Sequence, residues 1–126
     1  MDVDVAIIGL GPAGLQAAIH AARKKVSVVA LGKSDSSALK KAEVENYFGI
    51  PLANGQDLLR IGREQAQRFG ASIVEEDVIH LTKDGDTFKI ITENDLEVRS
   101  KAVILAMGIR RAKLNVPGEK DFLGRG

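Results

Sequence analysis

Apolar residues in this chain form two patterns, near-continuous runs and alternation, and the change from one to the other divides the sequence. Val5 to Ile8, Val26 to Leu31 and Ala71 to Val74 are short apolar runs of the kind found in parallel strands covered on both faces. Two stretches of helical spacing separate them. Leu15 to Lys24 is Ala-rich, and Leu58, Leu59, Gly62, Ala66 and Phe69 repeat along a segment from about Gly55 to Phe69. Asn54 is its expected N-cap and Gly70 its expected C-terminal cap. From Asp77 the pattern turns to alternation, in Val78 to Thr82, Thr87 to Thr92 and Leu96 to Val98. Asp84-Gly85-Asp86 and Glu93-Asn94-Asp95 supply turns, so this region reads as a small antiparallel meander. Lys101 to Gly108 returns to the buried-strand type and is expected to rejoin the parallel sheet beside the first strand. Gly32 to Ala42 is a polar loop, Glu43 to Pro51 is neither a clean strand nor a clean helix, and Val116 to Lys120 is turn-like. The prediction is an α/β fold with a parallel core and an inserted three-stranded meander, forming one domain over residues 1–126.

Composition narrows the function classes. With 18 basic and 17 acidic residues interspersed, the net charge of +1 gives no footprint for nucleic acid or for an anionic membrane surface. No apolar run reaches transmembrane length and the N-terminus begins a strand, so the expected location is cytoplasmic. The chain has no cysteine, which excludes disulfides, thiolate metal ligands and cysteine nucleophiles within it. Redox chemistry here would belong to a bound cofactor.

The first strand runs directly into Gly9-Leu10-Gly11-Pro12-Ala13-Gly14, a Gly-x-Gly-x-x-Gly loop that opens the first helix. In a Rossmann-like unit Gly9 permits the tight turn, Gly11 lets backbone N–H groups approach a pyrophosphate, and Gly14 lets helix and strand pack closely. Pro12 suits the start of a helix, whose positive end faces the anion. The competing reading is a glycine turn that merely packs a helix on a sheet. A carboxylate for the adenosine ribose is missing from the end of the second strand, where Ala30, Leu31 and Gly32 stand. Lys33 and Ser34 follow, a pair suited to a 2′-phosphate or simply an exposed loop.

Taken with Val44-Glu45-Asn46-Tyr47-Phe48-Gly49, Ala106-Met107-Gly108 and Val116-Pro117-Gly118-Glu119, the glycine loop gives the chain a specific likeness. It resembles the FAD domain of the thioredoxin reductase family of pyridine nucleotide-disulfide oxidoreductases over essentially all 126 residues. The resemblance implies a flavoprotein that binds FAD in an extended conformation. A neighbouring domain of the family carries the NADPH site and a Cys-x-x-Cys pair that reduces thioredoxin. By the same resemblance Gly9, Gly11, Pro12, Ala13 and Gly14 hold the pyrophosphate and Asn46 lies near the flavin. Val78 meets the adenine through its backbone, and Ala106 and Gly108 pass beneath the cofactor, with Met107 where Thr is usual.

The sequence departs from that pattern in two places. Ser34 to Leu39 stands where the family has a Gly-Gly-Gln segment. The sequence stops at Leu123-Gly124-Arg125-Gly126, where family members cross to the NADPH domain and later return with a last strand and helix. The resemblance therefore implies that FAD is held more weakly here, and that the chain has no site for NAD(P)H and no catalytic residue of its own. It also implies that the NADPH domain or a partner chain supplies the rest, and that the edge at Val103 to Ala106 favours a homo-oligomer. A second reading is a stand-alone NAD(P)- or FAD-binding module without turnover, with NADP held through Lys33 and Ser34. His20 and His80 read as structural or surface residues, Glu75-Glu76-Asp77 as a solvated turn, and Arg110 and Arg111 as exposed or anion-facing cations.

Overall fold

The computed structural model describes residues 1–109 and 116–119. Strand β1 (Asp2–Ile8) leads into helix α1 (Pro12–Arg23), and strand β2 (Val28–Leu31) follows. Two short 3-10 turns (Ser34–Ser36 and Ala38–Lys41) precede a small hairpin of β3 (Glu43–Val44) and β4 (Ala53–Asn54). Helix α2 (Gly55–Arg68), β5 (Ser72–Val74), β6 (Val78–Asp84), β7 (Thr87–Thr92) and β8 (Glu97–Leu105) complete the order.

The main sheet is six-stranded, in the order β5-β2-β1-β8-β7-β6. β1 lies at its centre, with Ile7 opposite Ala30 of β2 on one side and Ile104 of β8 on the other, both in parallel. Successive side chains of a strand point to opposite faces, and both faces of β1 are covered. Ile7 packs with Leu15, Ala18, Leu59 and Ala66 on the helical side. Ala6 packs with Val29, Leu31, Ile90 and Val98 on the other. That double burial is why β1 and β2 read as continuous apolar runs. Each fully buried Leu, Ile or Val contributes about 1.5–3 kcal/mol by leaving water.

Asn54 caps α2 as expected, its side chain accepting from the Gln56 N–H at 2.8 Å. Gly70 follows the helix with φ +101°, the left-handed conformation that closes a C-terminus. Val26 and Ser27 lie outside β2. Ser27 instead turns toward β1, its N–H and Oγ donating to Asp4 Oδ2 at 2.9 and 2.7 Å.

The third limb of the meander and the returning parallel strand are one element. Along β8, Glu97 to Ser100 pair antiparallel with β7, while Arg99 to Leu105 pair parallel with β1. The polar run Arg99-Ser100-Lys101 suggests a break, but alternation accommodates it. Arg99 reaches outward to Glu97 and Asp84, Lys101 reaches outward to Asp4, and only the small Ser100 is buried. Beyond Ser100, β8 has β1 as its strand neighbour and, among the described residues, none on its other side. Ile104 and Leu105 are 39% and 58% exposed there. No helix among the described residues is long and apolar enough to cross a membrane. Arg110, Arg111, Lys120 and residues 121–126 lie outside the described residues.

Candidate nucleotide-binding site

The parallel strands end on one side of the sheet, and the glycine loop leaves β1 there. Its three glycines are there for different reasons. Gly9 has φ +124°, and a Cβ on it would stand 2.1 Å from the Ala106 carbonyl oxygen. A Cβ on Gly14 would stand 1.9 Å from the Gly9 carbonyl oxygen. Both are demanded by the protein's own packing. Gly11 is different. Its φ of −78° suits any residue, and the nearest atoms to a Cβ would be Ser37 Oγ at 3.4 Å and Ser37 Cβ at 4.0 Å. Nothing in the fold requires glycine at position 11.

Gly11 is also the N-cap of α1. No side chain caps this helix and no acidic residue stands in its first turn. Pro12 has no N–H, so the Ala13 and Gly14 N–H groups are the donors that a helix start leaves without intrahelical partners. Helix α2 is treated differently, with the Asn54 cap and Asp57 in its first turn. The open end of α1 gives onto a cleft of about 210 Å3. The glycine loop forms one wall of this cleft, Ser36 to Leu39 a second, and Ala106 to Ile109 a third. None of these lining side chains is charged. Charge selection here falls to oriented N–H groups and the helix dipole, an arrangement that favours an anion.

Comparison with known proteins places this geometry. The family model described as pyridine nucleotide-disulphide oxidoreductase matches residues 3–126. The chain belongs to that family. It is 41% identical over 126 residues to a thioredoxin reductase of Aquifex aeolicus, covering 98% of this chain and 39% of that protein. Among solved structures, a thioredoxin reductase from Gloeobacter violaceus matches with a TM-score of 0.82 at 33% identity, over 98% of this chain and 42% of that one. The thioredoxin reductase from Giardia duodenalis matches with a TM-score of 0.85 at 31% identity, over 96% and 40%. The chain thus spans about two fifths of the length of these relatives.

Within this oxidoreductase-family domain, the cleft brings together Gly9, Gly11, Pro12, Ala13, Ala106 and Gly108. Gly14 stands directly behind the loop. Asn46 lies exposed in the segment between β3 and β4, and Val78 is half-buried at the start of β6; neither lines the cleft. The Ser36 to Leu39 wall was legible only as a loop beside the glycines. Its 3-10 form rests on local bonds, the Ser36 hydroxyl donating to the Lys33 carbonyl at 2.7 Å and the Ser37 side chain accepting from Leu39 N–H. Met107 is 70% exposed, a thioether at the cleft mouth.

Lys33 and Ser34 are already engaged. Lys33 Nζ lies 2.6 Å from Glu93 Oε1 and 3.5 Å from Asp77 Oδ2, and the Ser34 hydroxyl donates to Glu75 Oε1 at 3.2 Å. The hydrogen bond to Glu93 holds the Lys33 amine above its ordinary range, and Lys33 in turn holds the Glu93 carboxyl below its own. The acidic run is therefore more than a solvated turn: Glu75 also pairs with Arg63, and Glu76 accepts from the Thr92 hydroxyl. Their partners lie far along the chain, beyond the reach of any local pattern. His20 and His80 are both exposed.

Proposed function

We propose that this chain binds FAD across the Gly9–Gly14 loop, as the flavin-holding part of a thioredoxin-reductase-like oxidoreductase. The observation that carries this reading is Gly11: a glycine the fold does not need, set in a cleft where a Cβ would occupy the approach to an uncapped helix start. The Ala13 and Gly14 N–H groups would receive the pyrophosphate. The hydroxyls of Ser36 and Ser37 stand on the facing wall, and Ala106 to Gly108 close the cleft from the end of β8. Asn46 is assigned to the flavin and Val78 to the adenine on the family resemblance.

A bound flavin supplies two-electron chemistry between a reduced nicotinamide and a disulfide. These residues contribute binding, orientation and exclusion of water. With no cysteine among the 126 residues, the reacting disulfide belongs to other polypeptide. The test is the visible spectrum of the purified chain after incubation with excess FAD and removal of free flavin. Retained flavin bands are expected, and a colourless protein would contradict the proposal.

A further inference from the structure

At the carboxyl end of β2, where a dinucleotide fold faces the adenosine ribose, the chain places Gly32-Lys33-Ser34. This segment is tied to the glycine loop. Gly9 N–H donates to the Leu31 carbonyl at 2.7 Å, and a Cβ on Gly32 would stand 3.3 Å from both Gly9 Cα and Leu10 N. A lysine and a serine in this position ordinarily suit a 2′-phosphate. Here carboxylates from two separate connections have taken both residues: Glu75 and Asp77 between β5 and β6, and Glu93 after β7.

The arrangement is held by backbone as well as side chains. Glu93 N–H donates to the Asp77 carbonyl at 2.9 Å, and Asp77 N–H donates to Glu93 Oε1 at 3.3 Å. The cations in the cluster are Lys33 and Arg63, against the carboxylates of Glu75, Glu76, Asp77 and Glu93. A 2′-phosphate would bring a charge of about −2 against this acidic excess, and would have to draw Lys33 away from two carboxylates. A free ribose hydroxyl, a donor as well as an acceptor, meets no such opposition.

We propose that the Lys33-centred cluster makes this site reject 2′-phosphorylated nucleotides and accept adenine dinucleotides whose adenosine ribose keeps a free 2′-hydroxyl. The proposal rests on the glycine-loop reading above, and makes Asp77 and Glu93 determinants of specificity. It also removes the basis for an NADP module built on Lys33 and Ser34.

The experiment is displacement of FAD by ADP and by 2′-phospho-ADP, in the wild-type chain and in an E93Q/D77N variant. Gln at position 93 keeps an oxygen that can accept from Asp77 N–H, so the loop contact survives. The wild type is expected to bind ADP at least about tenfold more tightly than 2′-phospho-ADP, and the variant to narrow that ratio by about tenfold. Equal binding of the two nucleotides by the wild type, or an unchanged ratio in the variant, would overturn the proposal. A Lys33→Met variant provides a second arm, in which the ratio should hold or widen. A ratio that narrows there would overturn the proposal. Failure of the wild type to bind FAD or either nucleotide would instead bring down the glycine-loop reading, and this inference with it.

Discussion

At the scale of single residues, the three glycines of one motif separate into two physical roles. Gly9 and Gly14 are fixed by carbonyl oxygens that a Cβ would strike, whereas a Cβ on Gly11 would meet only Ser37, at ordinary contact distance. Substitutions should divide the same way. Gly14→Ala forces a methyl group to within 1.9 Å of the Gly9 carbonyl oxygen unless the loop shifts. Overpacking of this kind costs about 1–3 kcal/mol, so the urea midpoint should fall clearly in this variant. An unchanged midpoint would show that loop and helix are not in the close contact described. The motif predicts a tight turn at Gly9, a ligand approach at Gly11 and close helix packing at Gly14; the surroundings of each Cβ show which two the fold itself demands.

At the scale of elements, what was legible followed from short-range rules. The runs of β1 and β2, the Asn54 cap and the Gly70 terminus each depend on neighbours within a turn or on burial of both faces. Glycine loop, Ala106 and Gly108 were joined by the family resemblance, and the parallel strands, ending on one side, bring them to one cleft. The β3–β4 hairpin was not legible, since two-residue strands carry no alternation. Nor was the continuity of β8, because its polar centre is rescued by partners on other strands. One such partner is Asp4, which joins β1 to Ser27 before β2 and to Lys101 of β8. The Lys101 hydrogen bond first, and those from Ser27 next, hold the Asp4 carboxyl well below its usual 3.8. A carboxyl lowered in the folded state contributes stability that is complete above its unfolded value and is lost as pH falls toward the folded one. Stability should therefore decline between about pH 4 and pH 2, and Asp4→Asn should flatten that decline. Chemical denaturation across this range tests it, and equal slopes in the two proteins would contradict the role given to Asp4.

At the scale of the whole molecule, the sheet order places β1 between β2 and β8, so the glycine loop, the Lys33 segment and the Ala106 to Ile109 strand end are neighbours. The fold thus sets the glycine-loop cleft beside a polar, acid-rich segment. Along β8, the half beyond Ser100 has, among the described residues, no strand neighbour on its other side, and Leu105 is exposed there. The central claim is that the α1 start and Gly11 form a pyrophosphate cradle. Parallel FAD titrations of the wild-type chain and Gly11→Val, followed by flavin fluorescence with circular dichroism recorded on both, test this most directly. The account predicts matching dichroism spectra and an affinity for FAD reduced about 100-fold or more in the variant, equivalent to roughly 2.8 kcal/mol. Equal FAD affinity in the two proteins would contradict it.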